Sequence, residues 1–346
     1  MVITFVFDAC NLGGTESAIK NRMDHLEDMG VDCRILFLSH ADEDKTFQNH
    51  KYYIAENNSD IIRYTYDSDV IVSLSPLLST AQRLYCTNKP LICECHIHGC
   101  CSHLPKLDNK IVKAVIFPSK YELNTARSLL FKSPVSIPFF TVYNCIGKDF
   151  LDVNPPDKSD GSRKIVLWIG RIEHNKNWRL LLKIIERMDN TYLFRIISNI
   201  KVSSDYKYFI KEAQSKKLMN KIDIISDCPY SDMLAYYKEA ADNGCYLSTS
   251  YNESFGMTVL EAMKAECPMV LNNIPAFKEI AGNSAIYFDK DSIYGSMLAI
   301  KKLSTDTAYA SFTKAVIKKR YEEIFDSRRI CLQFLEIIQT VLGGVW

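Results

Sequence analysis

The first forty residues constrain the fold more than any other stretch of the chain. An apolar run at residues 2–7 leads into Asn11-Leu12-Gly13-Gly14-Thr15-Glu16, and a helical pattern follows with Ile19, Met23 and Leu26 on one face. Gly30 stops that helix, and residues 33–38 make a second apolar run. Two apolar runs separated by one amphipathic helix read as buried parallel strands joined by a right-handed crossover. Such a unit cannot close a core alone. It needs further strands in the plane of the sheet and helices on both faces.

The rest of the sequence supplies them. Apolar runs recur at residues 70–74, 91–95, 114–117 and 135–142, then at 165–169, 193–197, 222–225, 244–247, 269–271 and 285–288. Helical patterns lie between many of them, for example at 178–188 and 233–241. The expected class is α/β, with two doubly wound sheets in tandem, and 346 residues suit two cores better than one. Segment 149–162 holds Pro155-Pro156, four Asp and a Gly with little apolar periodicity, and reads as the hinge. The expected divisions are 1–150, 151–325 and a closing helix at 326–346. That helix carries the stripe Cys331, Leu332, Leu335, Ile338 and Leu342, expected to pack back on a domain surface, the N-terminal one being the candidate.

Charge and composition exclude several classes. A net charge of +1 gives no field for nucleic acid, and Lys318-Lys319-Arg320 reads as a solvated helix face that allows at most peripheral membrane contact. No apolar stretch reaches transmembrane length, and the N-terminus reads as a strand because it lacks a basic leader region. A cytoplasmic location is expected, with the 12 cysteines as reduced thiols.

In open parallel sheets, ligands sit beyond the carboxyl ends of the strands. The loop and helix of residues 246–261 hold Glu253, Ser254, Phe255, Gly256, Met257 and Glu261. A helix starting near Gly256 would leave amides of Phe255, Gly256 and Met257 for a phosphate. Glu261, about one turn on, could accept hydrogen bonds from a vicinal diol, and Glu253 could reach a second polyol. A capped surface helix could show the same spacing, so the wider context decides. Upstream, Gly170-Arg171 and Lys176-Asn177 follow the strand at 165–169, placing a guanidinium fork and an ammonium near a diphosphate. Gly13 and Gly14 permit close backbone approach but do not make Gly-x-Gly-x-x-Gly, which counts against a dehydrogenase. Cys93-Glu-Cys-His-Ile-His-Gly-Cys-Cys101 fits no standard zinc spacing, with its cysteines expected on one strand face and its histidines on the other. Asp67-Ser68-Asp69 reads as a strand cap before residue 70 rather than a metal site.

Glu253-x7-Glu261 with Phe255-Gly256, preceded by Gly170-Arg171 and Lys176-Asn177, resembles the signature of glycosyltransferase family 4. The resemblance implies the GT-B fold, two Rossmann-like domains facing across a cleft, and a retaining, metal-independent hexosyl transfer that needs no cofactor. It implies that the C-terminal domain binds a nucleotide diphosphate sugar and the N-terminal domain a glycan, glycolipid or glycoprotein acceptor, and a homodimer is left open. His98, followed by Gly99, fits the family's site histidine, with His96 as the alternate. Arg171 and Lys176 would meet the departing diphosphate, Glu253 the transferred sugar, Glu261 the ribose and Gly13-Gly14 the donor, while Cys228 falls in the loop that reads the base. Neither base nor sugar is legible, and GDP-mannose is favoured only as a common family donor. A sugar-nucleotide epimerase of the same fold and a non-catalytic nucleotide-sugar-binding protein are the alternative readings.

Overall fold

The structure, a computed structural model, describes residues 1–8, 13–39, 47, 49–75, 77–98, 100–132, 135–150, 162–226 and 228–343. Most of the expected hinge, Asn11 and Leu12 of the glycine loop, Gly99 and Asp227 lie outside the described residues. The chain divides into two compact units: residues 1–148 with 325–346, and residues 149–324.

Unit 1 runs β1 (Val2–Phe7), α1 (Gly14–Asp28), β2 (Asp32–Phe37), β3 (Lys51–Ile54), α2 (Asn58–Thr65), β4 (Val70–Ser73), α3 (Leu78–Leu84), β5 (Leu91–Glu94), β6 (Val112–Phe117), α4 (Lys120–Leu129) and β7 (Phe139–Thr141). Among the described residues its strands pair in the order β3-β2-β1-β4-β5-β6-β7, and each pairing is parallel. Strand β3 lies outside the expected apolar runs, because its Lys51 and Tyr52 are exposed at the sheet edge.

Unit 2 runs β8 (Lys164–Ile169), α5 (Trp178–Arg187), β9 (Tyr192–Ile197), α6 (Tyr206–Ser215), β10 (Ile222–Ile225), α7 (Met233–Asn243) and β11 (Gly244–Ser248). It continues with α8 (Met257–Lys264), β12 (Met269–Asn272), α9 (Pro275–Ala281), β13 (Ile286–Phe288), α10 (Ile293–Thr305) and α11 (Thr307–Ile324). Its strand order is β10-β9-β8-β11-β12-β13, again parallel throughout. Both sheets are buried on both faces, which is why β4, β5, β9, β11 and β12 are buried at every residue.

The final helix, α12 (Ser327–Leu342), belongs to unit 1. Its fully buried Phe334 stacks on Phe5 with ring centroids 6.2 Å apart, and Gln333 donates to the Thr141 carbonyl at 3.2 Å.

The acidic triplet has structural partners. Asp69 accepts from the Val2 amide at 2.7 Å, Ser68 bonds Thr4, and Asp67 receives Arg34 through both terminal nitrogens. The alternation expected of Cys93, Cys95, His96 and His98 holds only within the strand. The strand ends at Glu94, so the alternation stops before it reaches His98. Cys93, Cys95 and Cys101 are instead buried thiols within one apolar cluster of unit 1. Among the described residues, no helix is long and apolar enough to cross a membrane.

Candidate functional site

In unit 2 the strand order reverses direction between β8 and β11, and the loops leaving these adjacent strands diverge to opposite faces of the sheet. The first loop holds Gly170, Arg171 and Lys176, and the second holds Glu253 and Gly256. Several bonds fasten one to the other. Thr249 donates its hydroxyl to the Lys176 carbonyl at 2.7 Å while accepting from the Trp168 indole at 3.0 Å. The Tyr251 amide donates to Asn175 at 2.9 Å, and the Asn175 side chain donates to the Asn252 carbonyl at 2.9 Å. Asn177, left-handed at φ 52°, caps α5 by accepting from the Leu180 amide.

This scaffold brings Lys176 and Glu253 together, Nζ to Oε1, at 2.5 Å. The aliphatic stem of Lys176 runs over Gly170, where a Cβ would lie 3.3 Å from it. Arg171 stands at the more exposed end of the loop, 3.4 Å from Glu173.

Helix α8 begins at Met257, with Gly256 as its cap at φ +99°. Phe255 is buried, while Ser254 and Met257 are half-buried. The helix start leaves the first amides without carbonyl partners inside the helix, an arrangement suited to an anion. A Cβ at Gly256 would lie 2.8 Å from the ring of Phe277, itself fully buried. Gly256→Ala is therefore expected to destabilise unit 2 by about 2–4 kcal/mol, combining left-handed strain with overpacking. Urea unfolding in a Trp346→Phe background, which leaves Trp168 and Trp178 of unit 2 as reporters, checks this; an unchanged midpoint contradicts it.

Glu261 is buried on α8, and the Tyr237 hydroxyl lies 2.9 Å from both its Oε2 and the Thr258 carbonyl. The single Tyr237 hydroxyl proton is shared between these two acceptors. Burial pushes the Glu261 carboxyl up to about 7, against the opposing Tyr237 hydrogen bond and the Lys176 charge. Because the folded value exceeds the unfolded one, the folded state holds more protons between about 4.5 and 7. The resulting stability is complete below this window and is lost as pH rises through it. The expected loss between about pH 5 and pH 8 is about 2.5 kcal/mol, absent in Glu261→Gln. Urea midpoints of the two proteins across that range check it, and parallel profiles would defeat it.

Other expected residues fall elsewhere. In unit 1 the Gly13 amide donates to Glu16 at 3.0 Å, and Gly14 is the exposed first residue of α1. His98 is hydrogen-bonded through Nδ1 to the buried Glu122 of α4 and stacks on Tyr121 with centroids 5.7 Å apart. His96 is itself buried, with Nε2 2.7 Å from Glu94, and Glu94 also receives Arg22. Cys228, in unit 2, is half-buried, and burial pushes its thiol up to about 12.

Sequence reasoning missed Tyr237, Glu122, Arg22 and Glu94. Tyr237 precedes its partner Glu261 by 24 positions on another helix, and no local spacing announces such a contact.

Comparison with known proteins gives a consistent picture. Residues 153–319 match the family model described as glycosyl transferases group 1. The O-antigen chain mannosyltransferase RfbU of Salmonella typhimurium is 23% identical over 164 residues, covering 47% of this chain and 43% of that protein. Glycogen synthase of Mycobacterium tuberculosis is 22% identical over 181 residues, covering 52% of this chain and 43% of that protein. The chain thus spans less than half the length of the curated relatives it matches. Among solved structures, Anabaena Alr3699/HepE in complex with UDP and glucose superposes with a TM-score of 0.82 at 14% identity, covering 97% of this chain and 99% of that one.

Proposed function

We propose that this chain, which has the GT-B fold and carries a group 1 glycosyl transferase segment in unit 2, is a retaining glycosyltransferase that moves a hexosyl group from a nucleotide diphosphate sugar to a glycan, glycolipid or glycoprotein acceptor. The observation that carries this reading is the pairing of Lys176 with Glu253 beside the start of α8, where the sheet order reverses. A cation for phosphate, amides for phosphate and a carboxylate for sugar hydroxyls converge there on loops pinned by Thr249, Asn175 and Trp168.

In the reaction, the bond from the anomeric carbon to the diphosphate oxygen breaks, and one to the acceptor oxygen forms on the same face. The acceptor proton passes to a donor phosphate oxygen. Arg171, Lys176 and the α8 amides meet the charge that grows on the leaving group, and fixed charges already in place stabilise it without reorganising. They take the neutralising role a metal ion fills elsewhere. Glu253 holds hydroxyls of the transferred sugar, and Glu261, once ionised, holds the ribose diol. In unit 1, Glu122 fixes His98 so that Nε2 is left to meet a donor-sugar or acceptor hydroxyl.

The mannosyltransferase RfbU and the UDP and glucose complex of Alr3699/HepE pull the choice of donor in different directions, so a titration panel must include both kinds. Calorimetric titration with UDP-glucose, GDP-mannose and ADP-glucose, with and without EDTA, is expected to show one tight donor and no effect of chelation. Binding to none of them overturns the function, and loss of transfer in EDTA overturns the metal-independent mechanism.

A further inference from the structure

Each cation of the first loop already faces a carboxylate: Lys176 faces Glu253 at 2.5 Å, and Arg171 faces Glu173 at 3.4 Å. The settings differ. The Lys176 and Glu253 side chains are 18% and 16% exposed, whereas Arg171 is 47% exposed, so solvent screens the second pair far more. Glu253 is therefore the anion that the more shielded cation, Lys176, faces in this structure. The pair is not needed to dock the two loops, which the bonds from Thr249, Tyr251 and Asn175 already join.

We propose that Glu253 is a specificity-determining residue that favours the intact nucleotide sugar over the free nucleoside diphosphate, by competing for Lys176 whenever sugar hydroxyls do not occupy it. The proposal rests on the reading of the site given above. With an intact donor both partners are exchanged. Phosphate oxygens replace Glu253 at Lys176, and sugar hydroxyls donate to the released carboxylate. The number of charge-assisted bonds is preserved. A diphosphate alone takes Lys176 but leaves Glu253 unpartnered beside its own negative charge, where like charges repel. Once the sugar has been transferred, Glu253 returns to Lys176 and helps expel the product. Both side chains keep some contact with water, so the discrimination is about three- to tenfold rather than several orders of magnitude.

The test is calorimetric titration of the wild type and Glu253→Gln with UDP, UDP-glucose, GDP and GDP-mannose, with melting curves to confirm that the variant is folded. The amide keeps the shape and one acceptor oxygen but cannot compete as an anion. The expected result is that Glu253→Gln binds the nucleoside diphosphate about three- to tenfold tighter and the matching nucleotide sugar no tighter, so the preference for intact donor falls. The tightening should vanish when Lys176→Ala is added. A purely structural role for Glu253 would move both affinities together. An unchanged ratio, or tightening that survives Lys176→Ala, overturns the inference alone. Failure of the wild type to bind any of the four overturns the reading of the site, and the inference with it.

Discussion

Replacing Lys176 with alanine is expected to lower kcat/KM for sugar transfer by a factor on the order of 10² to 10³, with unit 2 still folded. The lysine is the more shielded of the two loop cations, and shielding from water is what makes a fixed charge effective against charge developing on a leaving group. The fold should survive because the loop is held by backbone groups. The Lys176 carbonyl still accepts from Thr249, and Asn177 still caps α5. The released Glu253 is partly exposed and can hydrate. Lys176→Arg keeps the charge but not the compact ammonium, so it should recover only part of the activity. Steady-state kinetics with the donor found by titration, beside melting curves, are the measurement. A variant that keeps more than about a tenth of wild-type kcat/KM would remove Lys176 from the machinery.

The largest effect on stability is expected in unit 1, from Glu94→Ala. Arg22 of α1 is 0% exposed and pairs with Glu94, and its Nε and Nη2 have no hydrogen-bond partner among the described residues. The guanidinium lies over the Phe334 ring of α12 at 4.6 Å, so its remaining environment is largely apolar. Burial opposes the charge on Glu94, yet the Arg22 charge and the His96 hydrogen bond outweigh it and hold the carboxyl below its usual range. Removing Glu94 strands a buried cation, which costs about 3–5 kcal/mol. Replacing both partners, as in Arg22→Met with Glu94→Leu, should recover most of the loss, because no buried charge then remains. In the Trp346→Phe background, far-ultraviolet dichroism should show an early transition from unit 1, while Trp168 and Trp178 fluorescence from unit 2 stays in place. If the single variant costs less than about 1 kcal/mol, water reaches Arg22 and the buried-pair account fails.

The strand runs are the most legible part of the molecule. A strand buried on both faces shows itself as a short apolar run whatever surrounds it, and β1, β8, β9 and β11 do so. The edge strands of unit 1 are less legible, because none of their residues is fully buried. The run at 135–142 yields only β7 at Phe139–Thr141, and β3 has no apolar run. The candidate site divides in the same way. Gly256 was legible as the place near which a helix starts, but Phe277, the ring that leaves no room for a side chain there, lies 21 positions further along the chain.

The sequence by itself therefore determined the α/β class, and it marked the strand-to-helix loops expected to bear function and the residue types that suit phosphate and polyol. These follow from local periodicity and from chemistry that each residue carries wherever it sits. Only the tertiary structure decided which of those residues act on one another. It paired Lys176 with Glu253, set Glu261 against Tyr237, and gave His96 and His98 different carboxylates. The physical reason is that the charge state and reach of a side chain depend on burial and on partners brought together by the sheet order, and these are not properties of spacing along the chain.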